Sequence, residues 1–210
     1  MDQPPSEIPV EELRRLKRDC RKRMKRRLNL LAHADSASIA RQEAELTRLF
    51  PTLDGYAESA TVLLYVGSLA EEFSTTAMIQ AAIDSGRRVA LPVVDSAIPR
   101  LIARLVKDLR RDLAPGSTGL VEPTPLCPEV TMVEIDWVLV PGLAFDARCN
   151  RLGRGAGYYD RLLKELRLDA PRVALALEDQ IIHEVPVGRH DQPLDAVVTA
   201  TRSFRRRSAG

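Results

Sequence analysis

The chain has 210 residues, 45% of them hydrophobic and 29% charged, enough for one sizeable α/β domain with a real core. A formal net charge of only +2 removes any global electrostatic case for a nucleic-acid or membrane-surface protein, although Arg and Lys crowd residues 14–27 and recur at Arg205, Arg206 and Arg207. Cys20, Cys127 and Cys149 are scattered and odd in number, against a disulfide framework or a zinc site, and no segment is apolar enough for a secretory leader or a membrane span, so a cytoplasmic protein with free thiols is expected.

Residues 1–8 read as a loose tail, after which Pro9 suits the first turn of a helix, with Glu11 and Glu12 complementing its positive end. Leu13, Leu16, Cys20, Met24, Leu28 and Leu31 recur at three- and four-residue steps and predict one apolar stripe on a helix that is otherwise basic. Lys17 and Arg21, four apart, project from one face of it. Asp35 or Ser36 caps a second helix that ends before Pro51, with Ile39, Leu46, Leu49 and Phe50 turned inward. The β-branched run 61–66 predicts the first core strand, and Gly67 and Ser68 turn out of it. Ser74 can cap a third helix holding Met78, Ala82 and Ile83, which Gly86 stops before a strand at 89–91. Strand, helix, strand in this span is a βαβ unit with parallel strands, and ligands gather at the carboxyl ends of such strands, which places residues 67–75 at the mouth of a site.

Residues 92–134 carry many prolines and short apolar pieces, among them the alternating run 101–106 and the segment Gly119-Leu120-Val121-Glu122-Pro123. A strand at 135–140 then feeds a polar loop with Asp146, Arg148, Asn150, Arg151 and Arg154, in which Gly153, Gly155 and Gly157 fall at every second position. Tyr158, Tyr159 and Asp160 open a helix whose apolar side is Leu162, Leu163 and Leu166. A strand, a basic glycine loop and a helix start together form a device for holding phosphate: glycines let backbone N–H groups approach the anion, the helix amino terminus adds partial positive charge, and arginines add forked donors. A carboxylate one turn into that helix suits a magnesium ion beside the phosphates. The spacing is neither that of Walker A nor the dinucleotide fingerprint. A further strand is predicted at 173–177, followed by Glu178, Asp179 and Gln180, the polar pair His190-Asp191, and a last strand beginning near Asp195. His183 and His190 are read as ordinary polar loop residues, and no internal repeat or second domain is seen.

The run 141–146, Pro-Gly-Leu-Ala-Phe-Asp, with 151–163, Arg-Leu-Gly-Arg-Gly-Ala-Gly-Tyr-Tyr-Asp-Arg-Leu-Leu, resembles the signature of the 5-formyltetrahydrofolate cyclo-ligases, also called methenyltetrahydrofolate synthetases. The resemblance extends over nearly the whole chain after the first dozen residues. It implies a single α/β domain over 1–210, three-layered, with a mostly parallel central sheet flanked by helices of the NagB/RpiA/CoA-transferase kind; composition adds the loose tail 1–8 and a basic tail 204–210. It implies an ATP- and Mg²⁺-dependent ligase that closes 5-formyltetrahydrofolate to 5,10-methenyltetrahydrofolate, with ADP and phosphate released. Carried over residue by residue, it assigns ATP to Lys17, Arg21, Arg151, Leu152, Gly153, Arg154, Gly155, Ala156, Gly157, Tyr158 and Tyr159. It assigns the folate to Glu72, Arg154 and Tyr158, chemistry to Arg154 and Tyr158, and the metal to Asp160 and Asp195. Small-molecule substrates, a monomer or weak dimer, no membrane and no nucleic acid follow as expectations. Cys149 stands where the family usually has Gly, Ala156 where it often has Lys, and Ser74 where it often has Asp. Two rivals are a non-catalytic ATP- or folate-binding relative, and a nucleic-acid-binding module using the basic first helix and arginine tail, which leaves the glycine–tyrosine loop unexplained.

Overall fold

Two helices lead the chain in the computed structural model, which describes residues 8–67, 72–95, 97–116 and 119–206. Helix α1 (Val10–Ala34) buries Cys20, Met24 and Leu28, but Leu16 is exposed, because the inward side of the helix runs through Lys17 and Arg21 instead. Two cations therefore occupy places on a face that otherwise packs. Asp35 is the cap of α2 (Ser36–Leu49): its side chain accepts the Ser38 N–H at 2.9 Å, and a short 3₁₀ turn over Phe50–Thr52 ends the element.

Strand β1 (Thr61–Leu63), helix α3 (Thr76–Asp84) and strand β2 (Arg88–Val94) are the expected βαβ unit, with β1 and β2 parallel. The helix cap is Thr75, not Ser74, and its hydroxyl turns away from the helix, donating to the Tyr65 carbonyl and accepting the Gly67 N–H. Gly67 passes so close to the Phe73 carbonyl that a Cβ there would lie 1.9 Å from its oxygen, which only glycine allows. Ser68 and Glu71, in the expected mouth of the site, lie outside the described residues, as does the tail 1–7.

The proline-rich middle contains more strand than its composition suggests: β3 (Leu101–Val106), the single-turn α4 (Leu109–Asp112), the hairpin pair β4 (Leu113–Pro115) and β5 (Val121–Pro123), and β6 (Glu129–Val130). There follow β7 (Trp137–Leu139), the small ladder of β8 (Ala144–Phe145) and β9 (Arg151–Leu152), helix α5 (Tyr158–Glu165), β10 (Arg172–Leu175), β11 (Ala196–Val198) and β12 (Ser203–Arg205). Phe204 and Arg205, assigned by composition to a basic tail, pair with Val197 and Ala196 as an edge strand, and residues 207–210 lie outside the described residues.

The eight-stranded sheet has the order β12-β11-β10-β7-β1-β2-β3-β6. Its centre, from β11 to β2, is parallel, and the flanking strands are antiparallel. Strand side chains alternate between faces, so Val62, Trp137, Leu139 and Val173 join one core with Leu46 and Met78 of the helices, while Leu63, Val138, Val140 and Ala174 join another with Leu162 and Leu163 of α5. Helices thus cover both faces, which explains why the parallel strands read as unbroken apolar runs rather than as alternation. Helix α1 packs separately, its Cys20 and Met24 against Leu143, Ala144 and Leu152 of the loop after β7. No helix of the described residues is long and apolar enough to cross a membrane.

Candidate active site

A cavity of about 770 Å³ opens at the carboxyl ends of β1, β2 and β7. Lys17 and Arg21 of α1 form one wall, Tyr65, Val66 and Glu72 after β1 another, and Leu120, Val121 and Glu122 of the β4–β5 hairpin close over it. Pro92, Val94 and Leu101 of β2 and β3, Pro141, Gly142, residues 151–161, Lys164 and the segment His190-Asp191 complete the lining.

The glycine loop is shaped for this place. Gly155 and Gly157 have φ of +117° and +68°, the latter in the left-handed conformation immediately before α5, so the backbone reverses into the helix without a side chain in the way. No side chain caps the amino end of α5, which faces the cavity through Tyr158, Tyr159 and Asp160. At Gly155 even a Cβ would sit 3.4 Å from the Arg21 guanidinium carbon, and that guanidinium donates through Nε to the Gly153 carbonyl at 2.8 Å. Helix α1 and the loop are therefore joined across the cavity floor.

Charges are paired within this lining. Lys17 donates to both carboxylate oxygens of Asp191, at 2.6 and 2.5 Å. Arg151, buried in β9, donates to Asp160 Oδ1 at 2.7 Å and to the Pro141 carbonyl at 3.3 Å. Arg154 donates to Glu72 Oε1 at 3.3 Å from the opposite wall. Burial lowers the Arg21 pKa, opposed chiefly by Asp191 and less by Cys20 and Asp160. The Tyr159 hydroxyl is buried and has no hydrogen-bond partner among the described residues; burial, with Glu72 nearby, pushes its pKa up, and burial does the same to Tyr65. Tyr158 lies against the Arg161 guanidinium, 5.3 Å from ring centre to cation. Ala156 lines the cavity with no charge to add.

The sequence-derived residues Lys17, Arg21, Glu72 and 151–160 are all in this one lining. Asp195 is not. Its Oδ2 accepts the Arg172 N–H at 2.8 Å and its own N–H donates to the Arg172 carbonyl, at the amino ends of β10 and β11. Cavity and Asp195 thus lie at opposite ends of a parallel sheet, and the expected pairing of Asp195 with Asp160 is corrected. Asp191, by contrast, is in the same lining as Asp160, and the residue that follows it, Gln192, donates its N–H to Asp160 Oδ1 at 3.4 Å. The topology rule alone could have made the choice, because a residue just before a parallel strand starts at the wrong end for a ligand. Asp146, named in the loop by the sequence but given no role, accepts through its carboxylate from Arg148 N, Asn150 N, Asn150 Nδ2 and Val185 N and so fixes the loop that carries β9. Cys149, in that loop, adopts a positive φ of 61°, the conformation that the glycine usual in the resembling family would supply freely.

Among the described residues no cluster of three or more His, Cys, Asp or Glu side chains could hold a metal. Asp160 and Asp191 offer two hard oxygen donors beside the cations Lys17, Arg21 and Arg151, a donor set that fits Mg²⁺, an ion that keeps waters and ligand phosphates in most of its octahedron.

The family model described as the 5-formyltetrahydrofolate cyclo-ligase family matches residues 14–200. A 5-formyltetrahydrofolate cyclo-ligase of Mycolicibacterium smegmatis is 35% identical over 85% of this chain and 93% of its own length, and that of Saccharomyces cerevisiae is 30% identical over 88% and 95%. The solved structure of Aquifex aeolicus 5,10-methenyltetrahydrofolate synthetase superposes with a TM-score of 0.76 at 28% identity, over 93% of this chain and 95% of that one.

Proposed function

The chain belongs to the 5-formyltetrahydrofolate cyclo-ligase family of ligases, and from that premise we propose that its cavity uses ATP to close 5-formyltetrahydrofolate to 5,10-methenyltetrahydrofolate. One observation carries the reading. Cations from α1 and from the glycine loop converge on the amino terminus of α5, within a cavity large enough for a nucleotide and a folate head group.

The chemical problem is that a formamide carbon is a poor electrophile and its oxygen a poor leaving group. In the proposed reaction the formyl oxygen attacks the γ-phosphorus, the bond from that phosphorus to the β-bridging oxygen breaks, and ADP leaves. N10 then adds to the activated carbon and loses its proton, the carbon–oxygen bond breaks, and inorganic phosphate departs with both electrons. Such chemistry asks for positioning and charge neutralisation rather than a protein nucleophile. Lys17, Arg21 and Arg151 face the phosphates; Gly153, Gly155 and Gly157 supply backbone approach; Leu152, Ala156 and Tyr159 border the nucleotide. Glu72 and Tyr158 hold the folate. Arg154, which bridges to Glu72 across the cavity, stands between the two substrates and, with Tyr158, bears on the transferred group. Asp160 and Asp191 would hold Mg²⁺, which when bound supplies charge neutralisation at the phosphates. A cytoplasmic setting suits three cysteines that are all free thiols.

The test is direct. Purified protein with 5-formyltetrahydrofolate, ATP and Mg²⁺ is expected to generate methenyl absorbance, and omission of ATP abolishes it. A folded protein that gives no ATP-dependent product ends this reading in favour of a non-catalytic relative.

A further inference from the structure

Resting on the folate reading above, we infer that Arg161, with Lys164 one helical turn further on, takes the carboxylates of the substrate's glutamate. The uncharged end of the cavity beside them takes the benzoyl ring that precedes that glutamate.

The cavity has two unlike ends. Lys17, Arg21, Arg151 and Asp191 gather where α1 meets the loop after β7. Toward β2 and β3 the lining is Pro92, Val94, Leu101, Leu120 and Val121, none of them charged. Val94 and Leu101 are register partners of the antiparallel pair β2–β3, and they share a core with Tyr158. Arg161 borders this end. Its Nη2 donates to the Pro99 carbonyl, between β2 and β3, at 2.6 Å and to the Ala156 carbonyl at 3.1 Å. Lys164 also lines the cavity, three residues along α5 and so beside Arg161 on the helix surface.

The cations are answered differently at the two ends. Lys17 and Arg151 meet the carboxylates of Asp191 and Asp160, and Arg154, between the ends, meets Glu72. Among the described residues Arg161 meets only the two carbonyls and the Tyr158 ring, and Lys164 has no hydrogen-bond or ion-pair partner. Two main-chain carbonyls fix the Arg161 guanidinium without neutralising it, and its Nε and Nη1 make no hydrogen bond among those residues. The ligand that suits such an end has a flat apolar body with carboxylates beyond it. The folate carries these parts in that order: pterin, benzoyl ring, glutamate. With its head group at Glu72 and Tyr158, the ring continues past Tyr158 along Val94, Leu101 and Val121, and the carboxylates meet two cations one turn apart. Both cations are exposed, so each pair is screened and contributes about a few-fold in affinity.

Calorimetric titration of the full chain with 5-formyltetrahydrofolate and with 5-formyltetrahydropteroate, which keeps the pterin and benzoyl ring but lacks the glutamate, tests the inference. The unaltered protein should bind the folate about ten-fold more tightly than the pteroate, and added salt should shrink that ratio. Arg161→Met, checked for folding by its melting curve, should lower the ratio about four-fold, and Lys164→Met about two- to three-fold. Equal affinity for the two ligands in the unaltered protein overturns the inference. So does an unchanged ratio in folded Arg161→Met: both ligands weakened alike would mean that Arg161 only straps the two loops together. If that variant does not fold, an unchanged ratio in Lys164→Met overturns it. Binding of neither ligand to the unaltered protein would instead remove the folate reading beneath it.

Discussion

Asp146 and Asp160 sit on either side of the same glycine-bearing loop, yet their surroundings differ in kind. Asp146 is 1% exposed and takes three backbone N–H groups and an asparagine amide. Asp160, at the cavity, takes the head group of Arg151 and a long contact from Gln192 N. A carboxylate saturated by main-chain donors cannot change partners without unfolding what it holds, whereas one bound to a guanidinium or ammonium can. Asp195, tied to Arg172 N, belongs with Asp146; Asp191, on Lys17, belongs mainly with Asp160, although it also accepts the Gly188 N–H at 2.6 Å.

The sharpest way to break this division is Asp146→Ala. It strands several buried N–H donors at once and should cost about 3 kcal/mol or more in denaturant unfolding, with activity lost through disorder of the loop. A loss under about 1 kcal/mol would show that main-chain donors at Asp146 are replaceable. Next in size is Asp195→Ala, expected to cost about 1 kcal/mol of stability while leaving the Mg²⁺ dependence of turnover where it was. A sharply raised Mg²⁺ requirement would move Asp195 into the exchangeable class. The smallest effect is Cys149→Gly. Relief of the positive φ gains about 1 kcal/mol, and loss of a buried side chain takes back nearly as much, so the melting temperature should rise by a few degrees at most.

Much of this arrangement was legible in the residues themselves. The strands at 61, 89, 137, 173 and 196 announce themselves as apolar β-branched runs because helices bury both faces of them. The glycines ahead of α5 are readable because their geometry is local, alternate residues in one loop, and so is the shared helix face of Lys17 and Arg21, although their choice among the many basic residues of α1 came only with the family resemblance. The antiparallel additions β3 to β6 were only partly legible, since two- and three-residue strands are too short to display a period. Asp195 carried a metal role only through the resemblance, and a residue that starts a parallel strand sits at the end of the sheet away from the cavity, as Asp195 does.

The contact between Lys17 and Asp191 spans 174 positions of the chain, and that between Arg21 and Gly153 spans 132. A ribosome must therefore release almost the entire polypeptide before the first helix can meet its last counterpart. On the proposed function, nascent or carboxyl-truncated forms have a sheet to build but lack the contacts that complete the nucleotide site, so protection by a ligand would come only with the last contacts of folding.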